Sequence, residues 1–250
     1  MSKHCKNCGE LLTGKYCSSC GQAASTDRIN STYLAEQIQN SVFHMDGGLL
    51  LTLKRLCTKP GYFIKKYLEG ERVSYFKPFG LLLLLSVVYS FLSLTFKITP
   101  EYSDMGVNAS STTVWVEWMY RYFGYITLFT VPIQSLFTFL FFRKEKYNYI
   151  EHLVVNAYAF CLQILVNTLL LAYNYFYPTL LGYTITSFIG LFVVVWTYVQ
   201  LFKRGSVIAR ILKSILVNIL SYLLTFILMM VVVVIVVLLN PSWLEMLMGG

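Results

Sequence analysis

Long apolar runs separated by short polar segments dominate the chain from residue 79 onward. A bilayer core is about 30 Å thick and takes roughly 20 helical residues to cross, so a charge-free run of that length predicts a transmembrane helix. Five runs qualify: residues 79–96 (FGLLLLLSVVYSFLSLTF), 123–142 (FGYITLFTVPIQSLFTFLFF), 153–177, 179–202 and 215–239. Only Pro178 separates the third from the fourth, and Tyr173, Tyr175, Phe176 and Tyr177 beside it suit an interfacial belt, which predicts a tight hairpin.

Residues 32–78 carry a different pattern, with apolar positions recurring at helical spacing in pieces too short to span. Leu34, Ile38 and Val42 form one stripe; Leu49, Leu50, Leu53, Leu56 and Cys57 form another, opposite Thr52, Lys54 and Arg55, with Asp46 as the expected N-cap. In PGYFIKKYLEG, Pro60 suits a first turn, Ile64, Tyr67 and Leu68 share a face, and Gly70 sits at a stop. Such amphipathic helices either lie in the membrane interface or cover the ends of the spans.

Composition fits the pattern: 56% of the 250 residues are hydrophobic and 13% charged, with a mean hydropathy of +0.60. The net charge of +8 is explained by position. Residues 1–78 hold eleven Lys and Arg, the 143–152 loop three and the 203–214 loop four, leaving Lys97 and Arg121 alone on the other side. The positive-inside rule then places the N-terminus in the cytoplasm and the C-terminus outside. Attraction to anionic lipid accounts for the excess charge, and no nucleic-acid partner is expected. Residues 1–22 lack the apolar h-region of a signal peptide, so they are expected to stay in the mature protein.

Those first residues carry the clearest chemistry. Cys5, Cys8, Cys17 and Cys20 form C-x2-C-x8-C-x2-C, with Gly9 and Gly21 directly after each second cysteine. Each C-x-x-C turn aims two thiolates at one point, and four sulfurs satisfy tetrahedral Zn²⁺. The alternatives are disulfides, a redox pair and an iron-sulfur cluster. A cytoplasmic location disfavours disulfides, and no thioredoxin-like setting surrounds the pairs. The expected unit is a small zinc ribbon over residues 1–22 with a structural, closed site, followed by a polar linker at 23–31. His4 reads as an exposed neighbour of the first ligand; Cys57 and Cys161, on apolar stretches, read as packing residues.

The double knuckle, the GLLLTLKRL core with Thr52, Leu53 and Lys54, and PGYFIKKYLEGER running into YFKPF together resemble a bacterial membrane family known as domain of unknown function 3667. The resemblance covers roughly residues 5–86 and implies an architecture and a bacterial inner membrane, with no chemistry attached.

No catalytic residue is assigned. His44 and Asp46 are the one His and carboxylate close together near the membrane surface, but Asp46 is already read as a cap, and a pair without a nucleophile is not a site. Glu151 and His152 read as a polar helix end at the interface. The spans hold no ionisable residue in their interiors, only Gln134, Asn156, Gln163, Asn167, Gln200 and Asn218, which bond across helices more readily than they couple transport. Trp115, Trp118, Tyr120 and Tyr122 suit an outer interfacial helix, Asn108 matches a glycosylation sequon, and the tail NPSWLEMLMGG is short and apolar. The expectation is an all-α integral membrane protein of about five spans over residues 79–250, preceded by amphipathic interfacial helices and a zinc ribbon. It would act as a non-enzymatic adaptor or assembly scaffold that meets anionic lipid and a cytosolic protein partner. The alternative is a lipid or small-molecule transporter or channel.

Overall fold

A computed structural model describes residues 4–33, 48–96, 98, 122–177 and 179–239. Among these the chain is almost entirely helical and has no strands, only isolated bridges in the cysteine segment. The helices are α1 (Leu49–Thr58), α2 (Pro60–Glu69), α3 (Pro78–Thr95), α4 (Phe123–Phe141), α5 (Tyr149–Phe176), α6 (Leu180–Leu201) and α7 (Val207–Leu239). Four segments are long and apolar enough to cross a membrane: Pro78–Thr95, Tyr149–Phe176, Leu181–Leu201 and Val207–Ile235. The apolar stretch of α4, Tyr125–Phe141, is shorter. The amphipathic stretch at 34–43, the His44 and Asp46 pair, the outer aromatic cluster apart from Tyr122, Asn108 and the C-terminal tail lie outside the described residues.

Helix α5 is the centre of the bundle, packed against α3, α4 and α6, while α7 leans on α4 and α6 and leaves Leu212, Ile219 and Phe226 exposed. Lipid chains are as apolar as these side chains, so burial alone cannot hold such helices together. Polar bonds between helices supply what burial does not. Gln134 of α4 donates to Tyr198 of α6 at 3.1 Å and to Asn218 of α7 at 3.0 Å. Tyr198 donates to Asn156 of α5, whose amide reaches Ser135 and Thr138 of α4 at 3.0 and 2.9 Å. Four helices thus meet in one buried network. The interhelical use expected of these amides holds for Gln134, Asn156 and Asn218.

Two helices begin earlier than their apolar runs. α5 starts at Tyr149 because Asn148 and Glu151 form a capping box: the Asn148 side chain accepts from the Glu151 amide at 2.8 Å, and the Glu151 carboxylate accepts from the Asn148 amide at 2.7 Å. α7 starts at Val207 and carries Arg210 and Lys213 in its first two turns, where a loop was expected. Arg210 donates to the carbonyls of Val199 and Phe202 at 2.8 and 2.7 Å, and Lys213 to that of Phe141 at 3.3 Å. Cations at the C-terminal ends of α6 and α4 satisfy carbonyls that no helical amide reaches.

The short helices cover the bundle. Phe63, Ile64, Tyr67 and Leu68 of α2 are buried, and Gly61 lies so close to α6 that a Cβ there would sit 2.4 Å from the Gln200 side chain and 2.5 Å from the Leu201 nitrogen. In α1 the expected faces are partly exchanged. Leu50 is 81% exposed, whereas Thr52, expected on the polar side, is fully buried. Its hydroxyl donates to the Gly48 carbonyl at 2.8 Å and accepts the Phe76 amide at 2.9 Å, pinning the chain that leads into α3. The N-cap is Gly48, in a left-handed conformation with no capping side chain, and not Asp46. Cys57 is exposed and no packing residue, while Cys161 is buried as expected.

Candidate metal centre and its dock on the membrane helices

The two knuckles repeat one local geometry. The Cys5 amide donates to the Glu10 carbonyl at 2.8 Å and the Gly9 amide to the Cys5 carbonyl at 2.9 Å; Cys17, Gln22 and Gly21 repeat both bonds at the same distances. Gly9 and Gly21 hold φ values of +80° and +73°, where a side chain would be strained. Bridges between His4 and Leu11 and between Tyr16 and Ala23 close each turn. The four sulfurs lie within 4.8 Å of one another, with Cys5 to Cys20 and Cys8 to Cys17 at 3.5 Å. A tetrahedron of metal–thiolate bonds of about 2.3 Å has edges of about 3.8 Å, so the spacing suits a metal ion. It is too long for a disulfide bond of about 2.0 Å.

Electrostatics favour a cation here. Burial pushes the Cys5 thiol up, but the Cys8 and Asn7 amides and the sulfurs of Cys20 and Cys8 bring it down to about 7. The Glu10 amide pulls the Cys8 thiol down, yet desolvation and the sulfurs of Cys17, Cys20 and Cys5 push it up to about 12. Four thiolates in one cluster repel, and a divalent ion is what lets all of them lose their protons together. His4 is exposed, and its Nδ1 lies 3.1 Å from the Gly9 carbonyl oxygen, apart from the sulfur cluster.

The module is held against the helices by polar bonds on two sides. Asn7 donates to the Ser74 hydroxyl at 3.0 Å, and the Gln22 side chain accepts the Arg72 amide at 3.3 Å. The segment 23–31, polar in sequence, is packed: Ile29 is fully buried and its carbonyl accepts from Asn148 at 2.8 Å. Arg28 grips Glu151 with Nε at 2.8 Å and Nη2 at 2.6 Å, and Nη2 also reaches the Lys146 carbonyl at 2.6 Å. The Glu151 carboxylate raises the Arg28 pKa further, so the guanidinium stays charged.

His152, read from sequence as part of an interfacial helix end, is fully buried instead. Phe139, Tyr147 and Phe202 surround its ring at 5.8, 6.2 and 5.7 Å between centroids, and Nδ1 meets the Thr138 hydroxyl at 3.1 Å. The docked segment covers Glu151 and the turn before α5 covers His152, which is why two adjacent polar residues end up inside. The N-x-x-E spacing of Asn148 and Glu151 is the sequence signal that would have located this helix start.

Residues 46–90 match the family described as protein of unknown function (DUF3667). The expected resemblance is therefore carried by α1, α2 and most of α3, the region that receives the cysteine module, while the cysteines themselves precede the match. Within the DUF3667 segment, Thr52, Gly61, Arg72 and Ser74 make the contacts described above. No curated protein and no solved structure matches the chain.

Proposed function

We propose that this protein is a non-enzymatic adaptor or assembly scaffold of a bacterial inner membrane, in which a structural Zn²⁺ on Cys5, Cys8, Cys17 and Cys20 shapes a cytosolic interaction module. The observation that carries this reading is the fixed attachment of the module. Its inner face is bonded to Ser74 and Arg72, and the segment that follows it to Glu151, while Leu11 and Tyr16, one on each knuckle, remain 52% and 68% exposed. A rigid mount with an outward apolar pair suits a protein partner.

Five crossings, with the N-terminus cytoplasmic and the C-terminus outside, fit the contacts between distant residues. Residues that touch at the surface lie on one side of the membrane, so an even number of crossings separates them. Arg28 touches Glu151, with α3 and α4 between them. Gly61 touches Gln200, with α3 to α6 between them. The five-span reading takes α4 as a crossing despite its shorter apolar stretch, and its 19 residues, about 28 Å long at 1.5 Å per residue, support that.

Crosslinking and affinity capture from native membranes test the adaptor, comparing wild type with Leu11→Ser/Tyr16→Ser and with Cys5→Ser/Cys8→Ser. A protein that is retained by wild type and lost from both variants is the expected result. Identical captured sets in all three overturn the reading. Metal analysis of the purified chain is expected to give one zinc per molecule.

The transporter reading keeps one specific support. The side-chain oxygens of Gln163 and Asn167 are buried without a hydrogen-bond partner among the described residues, and both amides lie against Gly190 of α6. Flux through the protein in liposomes, lost in Gln163→Leu/Asn167→Leu, would favour a path along this face; unchanged flux would remove it.

A further inference from the structure

Between the cysteine module and the chain entering α3 lies a cavity of about 970 Å³, whose walls include Gln22, Asp27, Arg28, Tyr33, Arg72 and Lys77. We propose that this cavity binds a phosphate group, carried by a phospholipid headgroup or by a small soluble phosphate ester. The proposal stands apart from the adaptor reading, since it concerns the inner side of the module.

Charge is the first reason. Among the described residues, three cations and one carboxylate line the cavity, and Glu151, outside it, neutralises Arg28. Arg72 is different. Its Nε donates to the Tyr67 carbonyl at 3.2 Å and its Nη2 to the Asp27 carbonyl at 2.9 Å, and its guanidinium lies 4.7 Å from the Tyr33 ring centre. Among the described residues, the three ion pairs do not include Arg72. A guanidinium oriented by two carbonyls and a ring, with no acidic partner, is arranged to present its remaining N–H groups to an anion.

Shape and place are the second reason. Ser25 and Thr32 also line the cavity, and their hydroxyls can supply neutral donors to phosphate oxygens, whereas those of Thr26 and Ser74 already donate to the Ala23 carbonyl and to Asn7. Lys77 is the N-cap of α3, the first membrane-length helix among the described residues, so the cavity lies at the end of that helix, where a phospholipid headgroup would meet it if the helix crosses a bilayer.

The test uses the full chain in phosphatidylcholine nanodiscs, titrated with glycerol 3-phosphate, and in mixed phosphatidylglycerol and phosphatidylcholine vesicles, with retained lipid measured by native mass spectrometry. Saturable binding of glycerol phosphate assigns the site to a soluble ester, and selective retention of phosphatidylglycerol assigns it to a lipid headgroup; either carries the proposal. Arg72→Gln and Lys77→Gln are each expected to weaken the binding about tenfold, the scale of a charge-assisted bond. Arg72 also supports the fold, so the deciding variant is Asp27→Asn, which removes the one carboxylate among the described residues that line the cavity and is expected to tighten binding about fivefold. Structural damage cannot produce that gain. No binding from either source, an unchanged affinity in Asp27→Asn, or a loss in Arg72→Gln no larger than that in the distant control Lys203→Gln overturns the proposal.

Discussion

The cysteine module and the membrane bundle both fold without the usual dominant force, for opposite reasons. The module is too small to bury a core: Cys5, Cys17 and Gln22 are its buried side chains between residues 4 and 22. The bundle has apolar surface in excess, but its surroundings are as apolar as its interior. One region compensates with a sulfur cluster suited to a metal ion, the other with a buried network through Gln134, Asn156, Tyr198 and Asn218. Specific polar chemistry therefore does in both the work that a hydrophobic core does in a soluble domain.

The strongest way to break this comparison is to disrupt the sulfur cluster. Structural zinc sites contribute on the order of 10 kcal/mol, so chelation or Cys5→Ser/Cys17→Ser is expected to unfold residues 4–22 and leave α5 intact. Hydrogen exchange reads both at once: the Gly9 and Gly21 amides should lose protection while amides in the middle of α5 keep theirs. Equal loss in both would make module and bundle one cooperative unit.

Next in size is the joint between the regions. Glu151→Gln removes the ion pair with Arg28 and weakens the capping box of α5. Arg28 is 58% exposed, which screens the pair, so about 2 kcal/mol is expected, below the range for fully buried pairs. Denaturant unfolding in micelles measures it, and Arg28→Met should show a similar loss. Gly61→Ala is expected to cost about 2 kcal/mol by overpacking α2 against Gln200 and Leu201, and to loosen α2 from the bundle. Smallest is the network itself. Asn156→Leu strips Tyr198, Ser135 and Thr138 of a partner for about 1 kcal/mol, whereas Gln163→Leu, at a 3.4 Å contact with Tyr222, should fall near zero by the same thermal or denaturant measurement.

The legible parts of the molecule were those set by short-range spacing. Four cysteines in two knuckles define their own cluster, and runs of apolar residues define helices, so both could be read directly. What escaped was set by partners far along the chain. Thr52 looks polar on its helix and is buried because the Phe76 amide needs an acceptor. His152 looks interfacial and is enclosed by rings from α4, the 142–148 turn and the end of α6. Asp46 looked like a cap, but Gly48 adopts the left-handed conformation that starts α1, and its Cα lies against the Ser74 carbonyl where a Cβ would be 2.4 Å away. Nothing local announces these neighbours.

The bond between Arg28 and Glu151 joins residues 123 positions apart. During synthesis the cysteine module leaves the ribosome long before its anchoring carboxylate exists, so it can dock only once the start of α5 has been made. Until then Arg28 is without the carboxylate that holds it in the finished fold. Docking of the N-terminal module therefore has to wait for the start of α5, which makes it a late event in the synthesis of the chain.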